Sequence, residues 1–167
     1  YGGSSPLDII VDTGDFEGAY DPEVLQAVDA LQDRFARLDG IARGVSLGDL
    51  LKELHRAFTG DDADLRIPDD PMAVAQLLLL PGPDTLEPMV DEDRQILRLS
   101  TRFQGGRMAL GQARALLDGI ETDLARLLPG GVTFRMTGSS VLFINMDRYL
   151  VSGQINSFAL LLVVLVV

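Results

Sequence analysis

The sequence predicts an α+β domain of the ferredoxin-like, split βαβ pattern, followed by the start of a truncated C-terminal transmembrane helix. Three observations predict it. Strand-period and helix-period segments follow one another as β-α-β, a helical insertion, then β-α-β. The strand candidates carry one apolar and one polar face, as in an antiparallel sheet covered on one side. From residue 158 to residue 167 no side chain is polar.

Residues 6–13 read as the first strand, with Leu7, Ile9 and Val11 pointing one way and Asp8, Ile10 and Asp12 the other. A loop over 14–20 leads to Asp21-Pro22, a helix start in which aspartate caps and proline occupies the first turn. The helix is expected to run to residue 38 on a stripe of Val24, Leu25, Val28, Leu31, Phe35 and Leu38, ended by Asp39-Gly40. Residues 41–45 are a short strand. Ser46 and Asp49 have capping-box spacing and open a helix to residue 58, with Leu47, Leu50, Leu51, Leu54 and Phe58 on one side. An acidic loop over 59–71 precedes a short, very apolar helix over 72–80, which Pro81-Gly82-Pro83 stops. Residues 47–90 form an insertion, because the βαβ pattern resumes after them.

The third strand spans 93–103, with Leu97, Leu99, Thr101 and Phe103 on one face and Arg98, Ser100 and Arg102 on the other. Gly105-Gly106 turns the chain into a helix over 108–128, whose buried side is Leu110, Ala113, Leu117, Ile120, Leu124 and Leu127. Pro129-Gly130-Gly131 ends it, and 132–137 is the last strand, with Val132, Phe134 and Met136 inward. Right-handed crossovers then leave the strand order 4-1-3-2 with the helices on one face. In that order Asp8 and Asp12 share the open face with Arg98, Arg102 and Arg135. Opposite charges across strands contribute about 0.2–1 kcal/mol each.

The chain has 167 residues and a net charge of −11. Such a balance excludes nucleic acid as a partner, since phosphate binding needs a basic face, and disfavours an anionic membrane surface. There is no cysteine, hence no disulfide or thiolate site. The first residue is Tyr1 and no signal peptide follows, so the chain is expected to be a fragment. A spanning helix needs about 20 apolar residues. The run over 158–167 is shorter, and its β-branched Val163, Val164, Val166 and Val167 also suit a buried strand. Because the four-strand plan is complete at Thr137, the run is expected to begin a membrane helix. Three parts are thus expected: a domain over 1–140, a linker or amphipathic approach over 141–156, and the helix start over 157–167.

Asp12-Thr13-Gly14 after an apolar strand matches the aspartic-protease signature. That chemistry needs two carboxylates sharing a proton. Here the motif occurs once, Asp15 and Phe16 follow it, and no bracing apolar-apolar-Gly stretch appears. A strand ending in a turn explains the same letters, so no catalytic residue is assigned. His55 is the one histidine and is expected on a solvated surface; without cysteine or a second histidine no zinc site is expected. The acidic residues of 60–64, Asp69-Asp70 and 91–93 lack the glycine and closing glutamate of a calcium loop. Gly138-Ser139-Ser140 reads as a turn. No metal or other cofactor is expected.

The segments 65–68 (Leu-Arg-Ile-Pro), 72–80 and 151–157, the last running into the apolar stretch, resemble predicted exporters of the resistance–nodulation–division (RND) superfamily, in the MMPL-like branch. Ser5-Pro6-Leu7-Asp8 leading into a strand, and Val45-Ser46-Leu47 with Leu50-Leu51-Lys52, carry the same resemblance, which covers nearly the whole chain through diffuse motifs. It implies a porter-type periplasmic domain of a secondary transporter in a bacterial inner membrane, moving hydrophobic or lipid-like molecules outward on proton flux. It further implies association with the rest of the transporter chain and with the membrane, and leaves a homo-oligomer as an open option. The proton-relay carboxylates of that family lie in membrane helices outside this sequence. The fragment would supply part of the substrate path, with Leu77, Leu79, Leu80 and Met89 of the insertion forming an apolar lip facing the open sheet; the alternative is a periplasmic binding or scaffold module tethered by one membrane helix, without transport activity.

Overall fold

Alternation of apolar and polar residues gives the first strand two unlike faces. In the computed structural model, which describes residues 4–61, 63–104 and 108–146, Ser5–Asp12 (β1) buries Leu7, Ile9 and Val11 completely and leaves Asp8, Ile10 and Asp12 half-covered. Complete burial of such side chains stabilises by about 1.5–3 kcal/mol each. Two antiparallel partners flank this strand: Ile96–Phe103 (β2) on one side and Thr133–Thr137 (β3) on the other, giving the order β2-β1-β3. Leu97, Leu99 and Phe103 of β2 extend the buried face.

Helices cover that face. Pro22–Phe35 (α1) is started as expected, the Asp21 carboxylate accepting the Glu23 amide at 2.9 Å. Its stripe, Val24, Leu25, Val28, Leu31 and Phe35, is buried. It packs between Leu110–Leu127 (α5) and Leu47–Thr59 (α2). Ala113, Leu117, Ile120 and Leu124 line the buried side of α5, and Arg34 pairs with the buried Asp123 across the α1–α5 seam. Two expected core residues fall outside: Leu110 begins α5 and Phe58 lies in the last turn of α2, and both are exposed.

The start of α2 depends on α1. The Ser46 amide donates to Asp49 Oδ2 at 3.0 Å, the box the spacing predicts. Asp49 is one methylene shorter than the usual glutamate. Buried Gln32 of α1 completes the arrangement, its amide reaching Ser46 Oγ and Asp49 Oδ2 at 2.7 Å each.

The predicted second strand, 41–45, is a correction. It meets β2 only at two antiparallel bridges, Ile41 to Phe103 and Val45 to Ser100. Four residue steps separate Ile41 from Val45 but only three separate Ser100 from Phe103, so one residue is extra on the 41–45 side and no continuous ladder forms. The third strand also starts later than predicted. Asp93, Arg94 and Gln95 belong to a turn, with Arg94 at φ 56°, and a further bridge joins Val90 to Leu97. The outer edge of β2 is thus covered at both ends by non-strand backbone.

The insertion contains Pro71–Leu77 (α3), capped by Asp70, and the short Pro83–Leu86 (α4). α3 packs on α2 and on the 3-10 turn Gly18–Tyr20. After β3 the first described part of the expected linker or amphipathic approach is helical and packed on the domain. Residues 139–146 are helical, buried Ser140 donates to the Pro6 carbonyl at 3.1 Å, and Ile144 is buried in the core. The packed unit therefore extends beyond residue 140. No helix among the described residues is long and apolar enough to cross a membrane. The Gly105-Gly106 turn, the linker beyond residue 146 and the expected helix over 157–167 lie outside the described residues.

Candidate functional site

Strand register decides which charged side chains meet. Arg98 lies opposite Ile10, Asp8 opposite Ser100 and Thr137, and Arg135 opposite Ile10 from the other side. Residues directly paired share a face, so Asp8, Asp12, Arg98, Arg102 and Arg135 stand together on the side away from the helices, as predicted. Within this set Arg98 Nη2 pairs with Asp8 Oδ2 at 2.9 Å. Arg102 makes no ion pair among the described residues.

Asp12 is held by its neighbours. The Gln95 side-chain amide and the Gly14 backbone amide both donate to Oδ1 at 2.9 Å. These bonds, the Gln95 one foremost, with a smaller contribution from the Arg135 charge, lower its pKa below the usual aspartate range. Thr13 Oγ1 donates to the Gln95 and Asp15 carbonyls at 2.9 and 3.2 Å. The Asp-Thr-Gly letters thus fasten the end of β1 to the turn before β2.

His55 is not on a solvated surface. Only 12% of its side chain is exposed, and Nδ1 lies 3.6 Å from the Asp64 carboxylate, which Arg66 also pairs at 2.8 Å. Asp64, in the connection between α2 and α3, thus lies against the ring. No group of three or more metal-ligating side chains occurs among the described residues.

The apolar lip divides. Leu77 is in the core, Met89 packs half-buried against it, and Leu79 and Leu80 are 79% and 66% exposed. α3 buries Val74 and Leu77, and Leu78 just after it is buried beside them, so Leu79 and Leu80 face out. Of the four, Leu79 alone lines a groove of about 660 Å3, and that groove does not reach the open sheet face. Its floor is Leu78 and Val90, one wall is α3 and α4, and the opposite wall is the loop carrying Glu17 and Tyr20. The expected cleft between insertion and open sheet is absent among the described residues because α3 packs on the helical side.

The groove wall is a zipper of two loops. Glu17 and Ala19 amides donate to the Asp93 and Arg94 carbonyls at 3.1 and 2.8 Å. Glu17 at φ 60° and Arg94 at φ 56° are both left-handed, a costly state for such residues, and their side chains pair with each other. The Arg94 guanidinium also lies 5.5 Å from the Tyr20 ring centroid. Burial pushes the Tyr20 hydroxyl up from its ordinary value, Arg94 opposing only in part, so it remains neutral. Sequence reading missed Glu17, Tyr20, Leu86, Val90 and Arg94. The prolines at 81 and 83 marked one wall, but the pairing of loops 77 residues apart left no local signal. No protein-family model matches the chain, and no curated protein matches it.

Proposed function

We propose that the chain is part of a proton-driven RND/MMPL-type membrane exporter, a periplasmic domain that forms part of the path for a hydrophobic or lipid-like substrate. The observation that carries this reading is the helical segment 139–146. It leaves the sheet with Leu142, Phe143 and Met146 exposed, and it leads toward the wholly apolar run 158–167, which the reading makes the start of a membrane helix. The ferredoxin-like split is the finer form of the α+β fold. It is supported by the order β2-β1-β3, by antiparallel pairing throughout, and by bridges that set 41–45 against the outer edge of β2. Leu79 and the groove beside it replace the predicted lip as the substrate contact.

Membrane attachment is tested by alkaline extraction of vesicles carrying the 167-residue chain. The 167-residue chain resists release better than a version ending at residue 146, and the complete protein, in which the helix begun at 158 is whole, stays with the membrane; release of the complete protein would sink the reading. Transport is tested with the complete protein in proteoliposomes. An imposed proton gradient drives efflux of a hydrophobic dye, and protein-bound dye without gradient-dependent efflux would instead identify a tethered binding module.

A further inference from the structure

We propose that the groove between α3, α4 and the loop of Glu17 takes a single-chain amphiphile with a cationic head group, an inference that rests on the reading of this chain as part of a path for hydrophobic molecules. The apolar part is supplied by Leu78, Leu79, Leu86 and Val90, with Pro81 and Pro83 closing one end. A volume of about 660 Å3 is that of a small-molecule pocket and holds one alkyl chain with its head.

Charge chooses the head. Four carboxylates line the groove, from Glu17, Glu87, Asp91 and Glu92, against a single cation, Arg94. Arg94 is neutralised by Glu17 and laid over Tyr20, and Asp91 is engaged by the Ile96 amide at 2.7 Å. Glu87 and Glu92 are exposed and make no ion pair among the described residues. An anionic head would meet their uncompensated charge beside a low-dielectric wall, while a cationic head would supply the missing counter-charge.

The chain has no cysteine, so Ala75→Cys on the exposed side of α3 gives one attachment point for an environment-sensitive fluorophore at the groove wall. The labelled 167-residue chain, held in lipid nanodiscs, is titrated with octyltrimethylammonium, octyl glucoside and octyl sulfate. The ammonium probe saturates at a concentration about tenfold below the glucoside, and the sulfate is weakest. Glu87→Gln with Glu92→Gln, at exposed positions, weakens the ammonium probe about three- to tenfold and leaves the glucoside unchanged. Circular dichroism checks that both variants fold. Three probes titrating within about twofold of each other, or the sulfate binding best, overturns the charge selection while leaving a hydrophobe site in place. No saturable response from any probe removes the groove from the substrate path as well.

Discussion

At Asp12 two hydrogen bonds govern a carboxylate on an otherwise open sheet face. Its folded pKa lies below the ordinary value of 3.8, with the Gln95 bond the largest cause. A depressed carboxyl contributes stability that is fully present above the ordinary value and is lost as pH falls through the folded one. The denaturation midpoints of the parent protein and Asp12→Asn are therefore separated at neutral pH and converge in acid below that range. In Gln95→Leu the Asp12 carboxyl titrates closer to its ordinary value, read from its carboxyl carbon shift; an unmoved midpoint would contradict the assigned cause. The letters Asp-Thr-Gly revealed the turn. They could not reveal Gln95, which lies 83 positions away and is brought in by β1–β2 pairing alone.

The edge segment 41–45 shows what an element owes to its neighbours. Its apolar ends identified it as strand-like, and its place beside β2 follows from the crossover rule. The bulge was illegible, because five residues carry too few repeats for one extra residue to disturb a period. Gly44 lets the bulge close. A Cβ there would come within 2.5 Å of the Ser100 carbonyl oxygen and 2.8 Å of Leu99 Cδ1. Gly44→Val thus lifts the segment off β2, costs about 1–3 kcal/mol in urea unfolding, and exposes the Ala42 and Val45 amides to hydrogen exchange. Unchanged protection at those two amides would mean the edge is held by something other than this close approach. The amphipathic stripes of α1 and α5 were far easier to read, since long helices repeat their signal and their buried positions agree with it almost throughout.

For the molecule as a whole, the helices close one side of the sheet and the chain after β3 returns to seal the end of the same core. Residues 141–156 look like a linker because Asn145, Asp147, Arg148 and Gln154 interrupt the apolar positions. The burial of Ile144 depends on where the preceding strand ends, which periodicity does not encode. Ile144→Ala is expected to cost about 2–5 kcal/mol, whereas Phe143→Ala, at an exposed position one residue away, stays within about 0.5 kcal/mol. Thermal unfolding of both proteins checks this, and equal losses would place residue 144 outside the core. The groove belongs to this scale too. Its two walls come from an inserted helix pair and a loop after the first strand, so neither wall alone predicts a cavity.

One junction carries a mechanical consequence. Gly138 stands at φ 110°, where an added Cβ would lie 2.5 Å from the Pro6 carbonyl oxygen, and that same oxygen accepts the Ser140 hydroxyl two residues later. The helical segment 139–146 is thereby bolted to the start of β1, the strand hydrogen-bonded on both sides. Force applied to the chain beyond residue 146 meets no slack at this joint. Through the Ser140 bond part of that load passes to β1 in the middle of the sheet, beside the part that the backbone carries into β3.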